Sequence, residues 1–152
     1  MYPGWRMMAI MGAVFLAGVQ IVEAGIDAHY EYFSCDAIDS PTSDYQFIME
    51  RASHDLIEHT GPDNYDHCDK IDLGLTLGYG RAMCRKGMSY GDCNICLYVA
   101  NNYRIRDCKF SKGSRVKLTD CYMRLEDYEF DDRFDAIMGA RGKAAISRGI
   151  AL

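Results

Sequence analysis

The sequence predicts an α+β domain in which two amphipathic helices pack on a mainly antiparallel sheet. Three observations carry that expectation. Segments near residues 29–35, 73–83 and 115–126 alternate aromatic or aliphatic residues with polar or small ones, the period of two of half-buried strands. Two intervening segments repeat apolar residues at helical spacing and open on capping boxes. A chain of 152 residues suits one domain rather than two, and helices laid on one sheet give such a chain a single core.

In chain order, residues 1–24 read as a secretory signal peptide. Arg6 supplies the positive start, Met7 to Val22 is almost wholly apolar, and Val22-Glu23-Ala24 predicts cleavage after Ala24. A retained membrane anchor is disfavoured, because a short stretch interrupted by Gly12, Gly18 and Gln20 falls below what a hydrocarbon core of about 30 Å requires. Cleavage removes Trp5, the only tryptophan. His29 to Cys35 reads as a strand, with Tyr30, Tyr32 and Ser34 on one side and Phe33 and Cys35 on the other.

Pro41-Thr42-Ser43 ends that strand. Ser43 with Gln46 makes a capping box for a helix whose stripe is Ile48, Ala52 and Leu56 with Phe47 and Ile57, closed by Gly61-Pro62. Leu73 to Met83 reads as a strand in which Gly78 and Gly80 permit close backbone approach. Ser89 and Asp92 open the second helix, which presents Cys96, Val99, Ala100 and Tyr103 on one face until the chain turns polar near Arg106. A hairpin follows: a turn over residues 119–122 pairs Leu118 with Met123, Val116 with Leu125, Arg115 with Glu126 and Lys117 with Arg124. Residues 131–152 form a short polar tail without the apolar end of a lipid-anchor signal, so no membrane anchor is expected.

A net charge of -5 argues against nucleic acid as a partner, since counterion release needs a concentrated basic face. All seven cysteines, at 35, 68, 84, 93, 96, 108 and 121, follow the signal peptide, so disulfides are the default reading; their spacing selects no pairing and leaves one thiol over. Cys93-x2-Cys96 at a helix start has the form of a redox dithiol, and His67, Cys68, Cys93 and Cys96 can be drawn as a zinc set without a matched second pair of finger spacing. The four histidines show no metal or nucleophile spacing, the acidic run 126–132 reads as a solvated edge, and Tyr30, Tyr32 and Phe33 read as core. Neither catalysis, a cofactor nor a metal is expected.

Cys84 to Cys96 has the spacing C-x8-C-x2-C, preceded by Tyr79-Gly80-Arg81-Ala82 and followed by Arg115-Val116-Lys117-Leu118-Thr119-Asp120-Cys121. Over about residues 30–130 this resembles the ginkbilobin-homologous, or salt-stress-response/antifungal, domain of land plants. The resemblance implies a five-stranded antiparallel sheet carrying two helices, and bridges Cys35–Cys108, Cys84–Cys93 and Cys96–Cys121, which leaves Cys68 as a free thiol, either inert or joining two chains. It further implies a mannose site at an Asn after the first cysteine, an Arg before the last and a Glu after it, which fall here on Asp36, Arg115 and Glu126. The departure at Asp36 replaces an amide that donates and accepts by a carboxylate that only accepts. The expectation is a secreted, apoplastic defence protein binding mannose-type glycans of a fungal cell wall. The alternative is an extracellular module that binds a protein, such as a related plant receptor ectodomain, without sugar.

Overall fold

The computed structural model describes residues 25–36, 42–109 and 111–139; the expected signal peptide and most of the tail lie outside them. Five strands, β1 (Tyr30–Cys35), β2 (Asp66–Asp72), β3 (Leu77–Cys84), β4 (Ser114–Leu118) and β5 (Cys121–Glu126), form one antiparallel sheet in the order β1-β4-β5-β3-β2. Two long helices, α1 (Ser43–His59) and α2 (Tyr90–Cys108), pack on it, and a short α3 (Phe134–Ile137) follows. The α+β class and five-stranded sheet are therefore as expected. So are the three bridges, Cys35–Cys108, Cys84–Cys93 and Cys96–Cys121.

The helices form for the reasons their sequences give. Ile48, Ala52 and Leu56 of α1 are fully buried. Ser89 caps α2 by accepting from the Asp92 N–H at 3.0 Å. Two details differ. The cap of α1 is Thr42, whose Oγ1 accepts from the Tyr45 N–H, so the helix begins one residue earlier than the Ser43–Gln46 box indicates. Phe47 is exposed, and the covered stripe runs instead through Tyr45, Met49 and Ser53. Gly78 and Gly80 do what strand glycines permit: a Cβ at either would strike Ile48 or Leu56, so their absence lets α1 settle onto β3.

The sheet departs from expectation at three places. A bulge between Tyr30 and Tyr32 turns Tyr30 to the same side as Phe33, where it meets Tyr103 of α2, while Tyr32 and Phe33 remain largely exposed rather than core. The strand expected over Leu73 to Met83 starts at Leu77, and a polar edge strand, β2, precedes it. The β4–β5 register is two residues away from that expected: Val116 faces Met123, Lys117 faces Tyr122 and Arg115 faces Arg124, with a loop of only Thr119 and Asp120. A shift of two preserves every side-chain face, so alternation alone could not separate the registers. Tertiary ties hold the tight one. Asp120 accepts from the Asp27 N–H and from Arg85, and Cys121 is bridged to α2.

Candidate functional site

The sheet face away from the helices is built from alternate residues of β4 and β5. Arg115 and Arg124 stand directly opposite each other, an arrangement that repels unless an anion lies between them. Glu126, diagonal to Arg115, supplies it: Oε1 accepts from Arg124 Nε at 2.7 Å and Arg115 Nε at 3.2 Å. Arg124 is further held by Asp132 through Nη1 at 2.7 Å and lies 4.0 Å from the centroid of the Phe130 ring. Tyr122 donates to the same Asp132. Tyr128 Oη lies near both guanidinium groups, 3.1 Å from Arg124 Nη2 and 3.4 Å from Arg115 Nη2.

The reading of 126–132 as a solvated edge holds for Asp127, Tyr128, Glu129 and Asp131, which are exposed, and fails at Glu126 and Asp132. Glu126 is fully inaccessible and Asp132 is partly covered, because the chain after β5 folds back over the sheet. Ordered structure also continues past residue 130 through α3, where Lys86 caps the Phe134 ring.

The structure brings together all three residues expected at the sugar site. Asp36 follows β1, its N–H donating to Gly113 O at 2.9 Å and its carbonyl accepting from Ser111. Its Oδ2 and the Oε2 of Glu126 both close over the bare α-carbon of Gly113, so two carboxylates face each other where a side chain would otherwise stand. Glu126 Oε2 is buried and accepts no hydrogen bond. Burial first, and then Asp36, push the Glu126 carboxyl above its ordinary range, while Arg124 and Arg115 oppose the shift. Arg115 remains about a third exposed, with its guanidinium at the rim. Arg124, which anchors Glu126 from below, was not among the expected site residues; nothing in a β-strand pattern distinguishes an arginine that neutralises a neighbour from one that points to solvent.

Chemically the site offers an exposed carboxylate, a rim guanidinium and a buried acceptor oxygen without a donor. The remaining constellations resolve more simply. Cys93 and Cys96 belong to different bridges, so they form neither a dithiol nor thiolate ligands. Cys68 is free and exposed on β2, and burial of its sulfur environment raises the thiol pKa, which lowers its reactivity. Asp55 and His59 of α1 and His67 of β2 converge at the α1–β2 edge, although the histidine spacing gave no sign of it. The one sequence signal was Asp55 and His59 a helical turn apart.

An antiparallel sheet carrying two helices, tied by three bridges and bearing an arginine–glutamate cluster on its outer face, defines a disulfide-tied α+β domain. Residues 34–128 match the salt stress response/antifungal family, and the chain belongs to it. It is 26% identical over 129 residues to antifungal protein ginkbilobin-like protein 1 of Picea glauca, covering 82% of this chain and 90% of that protein. It is likewise 26% identical over 124 residues to antifungal protein ginkbilobin-2 of Ginkgo biloba, covering 80% and 92%. Among solved structures it superposes on the tandem DUF26 ectodomain of the Arabidopsis thaliana cysteine-rich receptor-like protein PDLP5 with a TM-score of 0.61 at 20% identity, covering 67% of this chain and 51% of that one. That likeness concerns the fold, and the chain spans about half of the tandem. No helix among the described residues is long and apolar enough to cross a membrane.

Proposed function

We propose that this protein is a secreted defence protein that acts by binding glycans of mannose type through Asp36, Arg115 and Glu126. The single observation that carries the reading is the buried, donorless Oε2 of Glu126 facing Asp36 beside the Arg115 guanidinium. Two adjacent carboxylate acceptors call for two adjacent donors, and a vicinal diol is such a pair; the guanidinium then donates to a ring or hydroxyl oxygen. The antifungal relatives named above support the defence role by similarity. Because Glu126 has no exposed surface, a sugar reaches it only when neighbouring side chains move, so affinity for a monosaccharide is expected to be weak, about millimolar.

An NMR titration of the labelled protein with methyl α-mannoside tests this. Shifts at Arg115, Glu126 and Gly113 that vanish in Arg115→Ala support the reading. A spectrum that does not move at high sugar concentration rejects it.

A second reading, binding of another domain of this fold in a partner chain, is favoured by a different surface. Ile95, Tyr98 and Ile105 lie exposed along α2, and the solved relatives carry two such domains where this chain spans about one. Pull-down of a receptor ectodomain that survives Arg115→Ala and fails with Tyr98→Asp would favour it over the glycan reading.

A further inference from the structure

At the far edge of the sheet, α1 and β2 bring two imidazoles and a carboxylate together. Asp55 and His59 are one turn apart on α1, and His67 lies on β2, fixed opposite Ala82 of β3. One ligand atom from each of the three lies within 4.8 Å of the others. The two oxygens of Asp55 are shared out: Oδ2 is 2.8 Å from His67 Nε2 and Oδ1 is 3.1 Å from His59 Nδ1. Behind His67, Asp63 Oδ2 stands 2.6 Å from Nδ1.

We propose that Asp55, His59 and His67 form a binding site for a divalent transition-metal ion of the Zn2+ type, with Asp63 as the positioning residue for His67.

The imidazole of His67 stands between two carboxylates. A neutral ring has one N–H and one lone pair, yet this ring faces a carboxylate oxygen on each side. With its Nδ1–H given to Asp63, the Nε2 lone pair is turned on Asp55, two acceptors in contact with no cation between them. A metal ion bound by both removes the conflict, and a carboxylate holding the distal N–H is how ligating histidines are oriented. Charge points the same way. Asp69, two residues along β2 from His67, lines the same surface depression as Asp55. Asp55, Asp63 and Asp69 put three carboxylates around two imidazoles, against Arg51 and Lys70 at the same edge.

The donor set selects the ion. Two imidazoles and one carboxylate suit Zn2+, at about 2.0 to 2.2 Å each with water completing a tetrahedron, and do not suit Ca2+ or Mg2+, which take oxygen. Ligands bound at those lengths sit about 3.4 Å apart, and the half-exposed ring of His59 is free to close the remaining gap. The competing state is a pair of protonated imidazoles bridged by Asp55. Ligation needs neutral imidazoles, so metal and proton compete for the site.

Calorimetric titration of the full secreted chain with Zn2+ at mildly alkaline pH, with bound metal counted after dialysis, tests the proposal. The expected result is one ion per chain, weakened at least tenfold by His67→Gln or by His59→Ala, about tenfold by Asp63→Asn, and unchanged by Cys68→Ser. His59 is exposed on a helix, so His59→Ala carries the test even where a His67 variant does not fold. Failure to take up Zn2+, retention of full affinity in both histidine variants, or loss of binding in Cys68→Ser would each overturn the site.

Discussion

On its helix side the sheet meets α1 and α2 through Ala82, Val116, Leu118, Met123 and Leu125, all buried, and all three bridges lie on that side, two joining strands to α2 and one joining β3 to its first turn. On the opposite side Tyr122, Arg124 and Glu126 are just as inaccessible, but their cover is Tyr128, Phe130 and Asp132 and their contacts are hydrogen bonds and ion pairs. The difference lies in directionality. Apolar burial is non-directional, so the apolar contacts of the helix side fit any register that keeps the same residues inward, and on that side the Cys96–Cys121 bridge singles one out. Charge-assisted hydrogen bonds are satisfied in few geometries. The outer side therefore adds specificity through its polar geometry, and it is the face on which the proposed glycan site lies.

That contrast is broken most forcefully at Arg124. Arg124→Ala leaves Glu126 buried and less compensated and is expected to cost about 3 to 5 kcal/mol in chemical denaturation. Arg124→Met with Glu126→Leu should cost less, since the fully buried carboxylate leaves with its partner and Asp132 keeps Tyr122 as a donor; equal losses in the two variants would mean that the outer side is ordinary packing. Next, on the helix side, replacing Cys35 and Cys108 together by alanine should cost about 2 to 5 kcal/mol, because the bridge restrains 73 residues of separation in the unfolded chain. Gly78→Ala then tests the close approach of α1 and should cost about 1 to 3 kcal/mol, as Ile48 must move. Asp36→Asn is the mildest and has the opposite sign. The restored amide donates to Glu126 Oε2 and should stabilise by about 1 kcal/mol, with tighter mannoside binding in the same NMR titration.

The same division explains what the sequence makes legible. The buried faces of α1 and α2 follow from Ile48, Ala52, Leu56, Cys96 and Ala100, because an apolar stripe reports its own burial. The glycines of β3 announce close packing for a similar reason. By contrast, β2 runs Asp66-His67-Cys68-Asp69-Lys70, and its charges hide a strand held by backbone pairing to β3. The hairpin register depends on Asp120 and Cys121 meeting residues far away in the chain. Family resemblance locates Asp36, Arg115 and Glu126, but neither the burial of Glu126 nor the part played by Arg124 and Asp132 is visible before the chain folds back over β5. The cluster of Asp55, His59 and His67 is hidden likewise, since two of its members share a helix and the third arrives on a strand.

The central claim is that Glu126 keeps one buried oxygen in need of a donor and answers electrostatically to Asp36. Its raised carboxyl makes the folded state hold a proton more tightly than the unfolded one. This group's contribution to stability is therefore full below the ordinary glutamate value and falls as pH rises through the folded value. Titration of the Glu126 side-chain carboxyl by 13C NMR, in the wild type and in Asp36→Asn, measures this directly. The account predicts a midpoint above that of an ordinary glutamate in the wild type and a lower one in the variant. A wild-type midpoint at or below the ordinary value, or one that Asp36→Asn leaves in place, would contradict it.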